Sequence, residues 1–195
     1  MLKKNTDEEL IVKIVDGDKD LFAELIDRYQ IKLMRYIVRI TNVDTATAEH
    51  ILQDSFIKAY THLNDFDTSL KFSSWIYRIV HNEVVSLHRK SVSGINKEIV
   101  SIEEHDLQNI IDSTVDIPDS GDIHFIKDHI QKALQKLDYK YKEVIILRYF
   151  EHKDYKEISD ILKKPINTIA TLLSRAKKQL KKEINNLSNN AYENE

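Results

Sequence analysis

Residues 66–90, FDTSLKFSSWIYRIVHNEVVSLHRK, place Phe66, Phe72, the only tryptophan, Trp75, and Tyr77 ahead of Arg78, His81, Asn82, His88, Arg89 and Lys90. Rings can stack on unpaired bases and cations can pair with phosphates, so this mixture suits a single nucleic-acid strand. The segment also carries an apolar stripe at helical spacing: Trp75, Ile76, Ile79, Val80, Val84 and Leu87. Its place on that stripe assigns Trp75 to the core rather than to a stacking platform. A helix with a buried stripe and a back of aromatic, amide and cationic groups is the first candidate site.

A second cluster lies near the C-terminus. Asp154-Tyr155-Lys156-Glu157 has the pattern of a capping box and opens a short helix that buries Ile158, Ile161 and Leu162. Lys163-Lys164-Pro165 breaks it, because proline disfavours helix at the residue before it. A longer helix follows, with Ile169, Leu173, Ala176, Leu180 and Ile184 as its seam and Arg175, Lys177, Lys178, Lys181 and Lys182 outside it. Two helices joined by a tight turn, the second cationic, fit a helix-turn-helix reader of duplex DNA. Asn167, Thr168, Ala170, Thr171 and Leu172 would then face the groove while the later cations meet phosphates. A helical hairpin with a solvated lysine face fits the same spacing.

The chain that positions these clusters has 195 residues, three glycines and two prolines, with 42% hydrophobic and 31% charged residues. Scarce breakers and long periodic runs predict an all-α protein. Helices are expected from about 7 to 15, 20 to 40, 45 to 62, 70 to 90, 123 to 137, 139 to 151, 154 to 163 and 166 to 186. Thr6 and Glu9 frame the first as a capping box, and Thr41-Asn42-Val43-Asp44 supplies a turn and a new N-cap. With no cysteine, disulfides and thiolate metal sites are excluded. The eight histidines form no set of three or four converging ligands, so neither a metal nor a cofactor is expected. The start, MLKKNTDEELIVKIVDGD, is unlike a secretory signal, and no apolar run reaches membrane-spanning length. A cytoplasmic protein without membrane insertion is expected.

Charge divides the chain further. Residues 1–93 are nearly balanced, 94–122 hold one lysine against eight acids, and 123–187 hold 15 basic against eight acidic residues. The organisation read from this is two helical domains, 1–93 and 123–187, a flexible acidic linker at 94–122 and a disordered tail at 188–195. The linker keeps isoleucines (Ile95, Ile99, Ile102, Ile110, Ile111, Ile117) that could lie on a partner surface. A basic block in a chain of net charge −3 points to a polyanion as that block's partner.

Taken together, the two blocks resemble the extracytoplasmic-function (ECF) subfamily of bacterial RNA polymerase sigma factors. The resemblance rests on Asp20-Leu21-Phe22 and Tyr29, on the run from Ala48 to Tyr60, and on Phe72-Ser73-Ser74-Trp75-Ile76-Tyr77-Arg78-Ile79 with Asn82. It continues with Leu137, Val144 to Phe150, Tyr155-Lys156-Glu157-Ile158 and Ser174-Arg175-Ala176. It implies a non-enzymatic specificity subunit that binds core RNA polymerase, recognises and opens promoter DNA, and is held inactive by an anti-sigma factor. Core-polymerase contacts would come from Gln53, Asp54, Ile57 and Lys58. Minus-ten promoter contacts would come from Asn64, Asp65, Phe66, Asp67, Phe72, Ser73, Arg78, His81, Asn82, Arg89 and Lys90, with Asn82 on a base. Minus-thirty-five contacts would come from Tyr155, Asn167, Thr168, Ala170, Thr171, Leu172, Arg175 and Lys178.

The chain departs from the family pattern at three places. Its recognition helix opens Asn167-Thr168-Ile169-Ala170-Thr171-Leu172 where Gly-Thr-Val-Lys-Ser-Arg is usual. The loop around Asp67-Thr68 lacks a glycine, and His81 and Ser86 stand where Arg and Asp are usual. An unusual promoter sequence is therefore expected. Leu172 could meet a thymine methyl, the core or a protein partner. The rival reading is a one-component helix-turn-helix regulator with a helical sensor domain, which would bind two-fold sites as a dimer.

Overall fold

The structure, a computed structural model, describes residues 5–92 and 130–192. The acidic linker lies outside them. The described residues are helical without a strand and form two compact units. The first is built from α1 (Asp7–Val15), α2 (Phe22–Thr41), α3 (Thr45–Thr61) and α4 (Phe72–Val92).

Local sequence sets most boundaries in this unit. Thr6 and Glu9 close the expected capping box on α1. A 3-10 turn at Lys19–Leu21 occupies the expected start of α2. Asn42 ends α2 in the left-handed region at φ 60°, a conformation asparagine tolerates. Asp44 then caps α3, accepting from the Thr47 amide at 2.8 Å and its hydroxyl at 2.7 Å, and these bonds lower its pKa.

Contacts distant in sequence hold the four helices together. Leu10, Leu25, Leu33, Ile37, Phe72, Ile76, Val80 and Val84 are wholly buried, and each such side chain contributes about 1.5–3 kcal/mol of hydrophobic stabilisation. Arg28 of α2 donates to Asp7 at 2.5 Å, to Glu24 at 2.6 Å and to the Asn5 carbonyl at 2.8 Å, while the Tyr29 hydroxyl donates to the other oxygen of Asp7. The start of α4 is capped from outside: Glu8 of α1 accepts the Phe72 amide at 3.0 Å, across 64 residues of chain. One bare helix end is thereby satisfied by another helix.

The second unit is built on α6 (Tyr139–Ile145) and α8 (Ile166–Tyr192), with α5 at 130–135 and residues 155–159 of α7 (Tyr155–Leu162). The expected single helix over 139–151 changes pitch at Ile146–Phe150, which is a π turn. Lys142 to Leu147 are all buried, and six consecutive residues cannot share one face at 3.6 per turn, so this stretch is covered on more than one side. α8 runs through Tyr192, beyond its expected end near 186, because no proline or glycine stops it. Of the expected disordered tail, 188–192 are thus helical in backbone, and 193–195 lie outside the described residues.

Candidate functional site

One face of α4 collects what the sequence placed there. Trp75, Arg78, Asn82, Ser86 and Arg89 follow at steps of three and four, on the side opposite Ile76, Val80 and Val84. Asn82, Ser86 and Arg89 are exposed, and Trp75 and Arg78 are half-exposed. The indole, expected in the core, is shared between core and surface. It leans on Phe66 at 5.2 Å and Phe72 at 5.7 Å between ring centroids, and Phe72 meets Tyr29 edge-on at 5.5 Å.

Three residues expected at the DNA are core residues instead. Phe72 is fully buried, Phe66 is 8% exposed and His81 7%. The two phenylalanines form the ring cluster beneath Trp75, at 5.8 Å from each other. His81 lies on the flank of α4 covered by α2, where its Nδ1 is hydrogen-bonded to the Tyr36 hydroxyl at 3.0 Å. The sequence pattern missed this because a histidine one step off the stripe is buried only if a neighbour covers it.

The loop before α4 is exposed at Asn64, Asp65 and Asp67. Asp67 stands in for the missing glycine by building its own turn: its carboxylate accepts the Ser69 amide at 2.9 Å, and its carbonyl accepts the Leu70 amide at 3.0 Å. The bonds from Ser69 lower the Asp67 pKa. Ser73 is half-exposed in the first turn of α4. Lys90 belongs to α4 by its backbone, and its side chain lies outside the described residues.

A second surface of the first unit is an open groove of about 760 Å³ between α2 and α3. Ile26, Ile31, Met34, Leu52, Phe56 and Ile57 give it an apolar lining, with Gln30, Arg35, Glu49 and Gln53 interspersed. Ile31 and Ile57 are 58% and 63% exposed. Of the four expected core contacts, Gln53 and Ile57 line this groove. Asp54 pairs instead with His50 at 3.4 Å, and Lys58 reaches Glu83 of α4 at 2.6 Å. The contribution of α2 was not legible from the sequence, since only packing brings Ile31 and Met34 beside α3.

In the second unit Asp154 and Glu157 complete the capping box of α7. Lys163 leaves that helix in the left-handed region at φ 53°, and the Ser159 hydroxyl donates to the Lys164 carbonyl at 2.6 Å. The Pro165 carbonyl accepts the amides of Thr168 and Ile169 at 2.8 and 3.0 Å, starting α8 at once. The turn is tied to α6 by the Lys164 ammonium, which donates to the buried Glu143 carboxylate. Burial raises the Glu143 pKa and Lys164 opposes the rise. Along α8, Asn167, Thr168, Ala170, Thr171, Arg175 and Lys178 are exposed, Leu172 is half-exposed, and Ile169, Leu173 and Ala176 are buried. Tyr155 is 38% exposed, with the Arg148 guanidinium 5.5 Å from its ring centroid. Among the described residues no cluster of three or more metal-ligating side chains occurs.

Residues 25–93 match the family model for Sigma-70 region 2, and residues 127–180 match Sigma-70 region 4. The ECF RNA polymerase sigma factor SigW of Bacillus subtilis is 30% identical over 190 residues, covering 96% of this chain and 98% of that protein. The RNA polymerase sigma-H factor of Pseudomonas aeruginosa is 28% identical, covering 93% and 95%. Among solved structures, CnrH in complex with the cytosolic domain of CnrY aligns at TM-score 0.68 and 20% identity, covering 93% of this chain and 98% of that one. The sigma factor RpoE, solved with the anti-sigma factor NepR from Bartonella quintana, aligns at TM-score 0.63 and 22% identity, covering 84% and 96%.

Proposed function

The chain belongs to the extracytoplasmic-function sigma factors, and from that premise we propose how its surfaces divide the work of starting transcription. It is an alternative sigma factor: it binds core RNA polymerase and directs promoter recognition, promoter opening and initiation. RNA synthesis itself remains with the core enzyme, and the sigma factor acts in the cytoplasm where that enzyme works. Among the described residues no helix is long and apolar enough to cross a membrane. The domains are residues 1–93 as region 2, 94–122 as linker and 123–187 as region 4.

The groove between α2 and α3 is the core-docking surface. Its exposed isoleucines and Met34 gain hydrophobic energy when a partner helix covers them, while Gln53 and the flanking charges set register. The face of α4 holds the melted strand of the minus-ten element. Extruding a base costs a few kcal/mol, offset when the base is stacked and hydrogen-bonded. Asn82 offers an amide that can pair with a base edge. Trp75 offers half an indole, and Arg78 and Arg89 offer charge to the backbone. The exposed loop at Asn64, Asp65 and Asp67, with Ser73, borders the same face. In region 4, α8 lies in the major groove of the minus-thirty-five element, with Arg175 and Lys178 on phosphates and Tyr155 beside them.

The observation that carries this reading is the match of both units, in order, to sigma regions 2 and 4, with an exposed amide and two guanidinium groups on one face of α4. A one-component regulator would need a sensor domain where the chain has region 2. The partners are core polymerase, promoter DNA and an anti-sigma factor of the kind bound to the related RpoE. Purified core polymerase plus this chain, given a genomic fragment library, should produce discrete transcripts that core alone does not. A chain that binds promoter fragments tightly as a dimer without core, and yields no transcript with it, sinks the proposal.

A further inference from the structure

Asn82 stands between two tethers. Its neighbours in sequence, His81 and Glu83, lie about 100° to either side of it around α4. The Nδ1 of His81 is hydrogen-bonded to the Tyr36 hydroxyl of α2 at 3.0 Å, and the Glu83 carboxylate accepts from the Lys58 ammonium of α3 at 2.6 Å. Asn82 is exposed between them. His81 is 7% exposed, so its bond is shielded from water, whereas the Lys58 and Glu83 side chains are 51% and 23% exposed. Lys58 follows Ile57, which lines the groove between α2 and α3, yet its ammonium is spent on α4.

A brace is needed at this level because apolar packing has little directional preference. Val80 and Val84, both wholly buried, hold α4 down but oppose its roll about its own axis only weakly. Hydrogen bonds prefer a narrow range of angles and stop such a roll. Side chains reach about 5–6 Å from a helix axis, so a roll of about 10° moves the Asn82 amide by about 1 Å. Paired hydrogen bonds to a base edge span a distance window of about 0.5 Å. An unbraced α4 would therefore spend time with its amide off target.

We propose that the bonds from Tyr36 to His81 and from Lys58 to Glu83 form a two-sided brace that fixes the roll of α4 and aims Asn82 at its base. Tyr36, His81, Lys58 and Glu83 are thus positioning residues for promoter opening. The inference rests on the sigma-factor reading and deepens it, since Lys58, expected at the core polymerase, works through α4 instead.

The test follows opening by permanganate reactivity, with holoenzyme reconstituted from core polymerase and this chain on a promoter recovered from the genomic library. Glu83→Ala should slow opening about threefold, the weight of a partly exposed ion pair. Tyr36→Phe should slow it about fivefold, the weight of a buried hydrogen bond. In holoenzyme that already carries Asn82→Ala, neither change should slow opening further, because a brace acts only through the group it aims. Glu83→Lys should also slow opening, although it adds a cation beside the strand. Lys58→Glu combined with Glu83→Lys rebuilds the pair and should return the rate to within about twofold of wild type. Affinity for core should be unchanged by Glu83→Ala. Losses of equal size with and without Asn82, faster opening with Glu83→Lys, no recovery in the double reversal, or weakened core binding by Glu83→Ala overturns the proposal. Wild-type holoenzyme that yields no transcripts from the library overturns the sigma-factor premise and this inference with it.

Discussion

α4 and α8 have similar ingredients but are held differently. Both are long helices with a buried seam and a polar face carrying amide and cationic groups. α4 is bound into its unit around the face proposed to meet DNA: Glu8 caps its start, Tyr36 anchors His81 on one flank, Lys58 pairs with Glu83, and the rings beneath Trp75 are core rings. The start of α8 combines local bonds, the Pro165 carbonyl starting the helix and the Thr171 hydroxyl on Asn167, with a buried seam at Ile169 and Leu173 and the Lys164 tie to Glu143 in the turn before it. A flexible melted strand has no shape of its own, so the protein must supply a rigid surface for it. A duplex is already rigid and needs only a helix of fitting width. On the proposed assignment, α4 to the strand and α8 to the duplex, the helix braced from more sides takes the more flexible ligand.

The largest effect should come from cutting into the shared rings. Phe72→Ala removes a wholly buried side chain and should cost about 3–5 kcal/mol. Hydrogen exchange should then show lost protection across α1–α4 with α8 unchanged; parallel loss in α8 would break the contrast. Next, Asn82→Ala should slow promoter opening about tenfold, the value of one base contact, with core affinity intact. A premelted template should restore the rate, and failure of that rescue would take Asn82 out of the strand-binding face. Smaller again, Glu8→Ala should lower stability by about 1 kcal/mol, as loss of a cap does. It should slow opening without changing upstream duplex binding, which permanganate reactivity and footprinting can separate.

The smallest effect concerns pH, where the units should respond with opposite sign. Burial holds the Glu143 pKa above its ordinary 4.5. In the window just above 4.5 the native state binds more protons than the unfolded one, so this group makes the second unit more stable as pH falls. The folded pKa of Asp44 lies below 3.8, so its contribution to the first unit is complete above 3.8 and is lost as pH falls through the folded value. Glu143→Gln should flatten the first of these slopes in thermal melts followed unit by unit. An unchanged slope would reassign it to another group.

How much of this was legible depended on the range of the interaction. Thr6, Asp44, Asp154 and Glu157 announced helix starts because a cap and its target lie three residues apart. The turn before α8 and the cationic face beyond it were readable for the same reason. His81 and Phe66 were misplaced because their burial depends on rings and helices distant in sequence. Trp75 was read as core in preference to a stacking platform and is half-exposed, since periodicity reports a direction and not how deep a neighbour reaches. The part played by α2 in the groove beside α3 left no trace in the local pattern.

The sequence by itself determined the helices, their caps, the cation-poor start of α8 and the stretch that collects amide, ring and guanidinium groups. Those follow from spacing along one chain, where backbone geometry converts position into direction. Only the tertiary structure decided which candidates face outward. Packing α2 against α4 buries His81 and leaves Asn82 exposed, and folding Phe66 and Phe72 together lifts Trp75 to the surface. Exposure is a relation between elements, and no run of residues contains it.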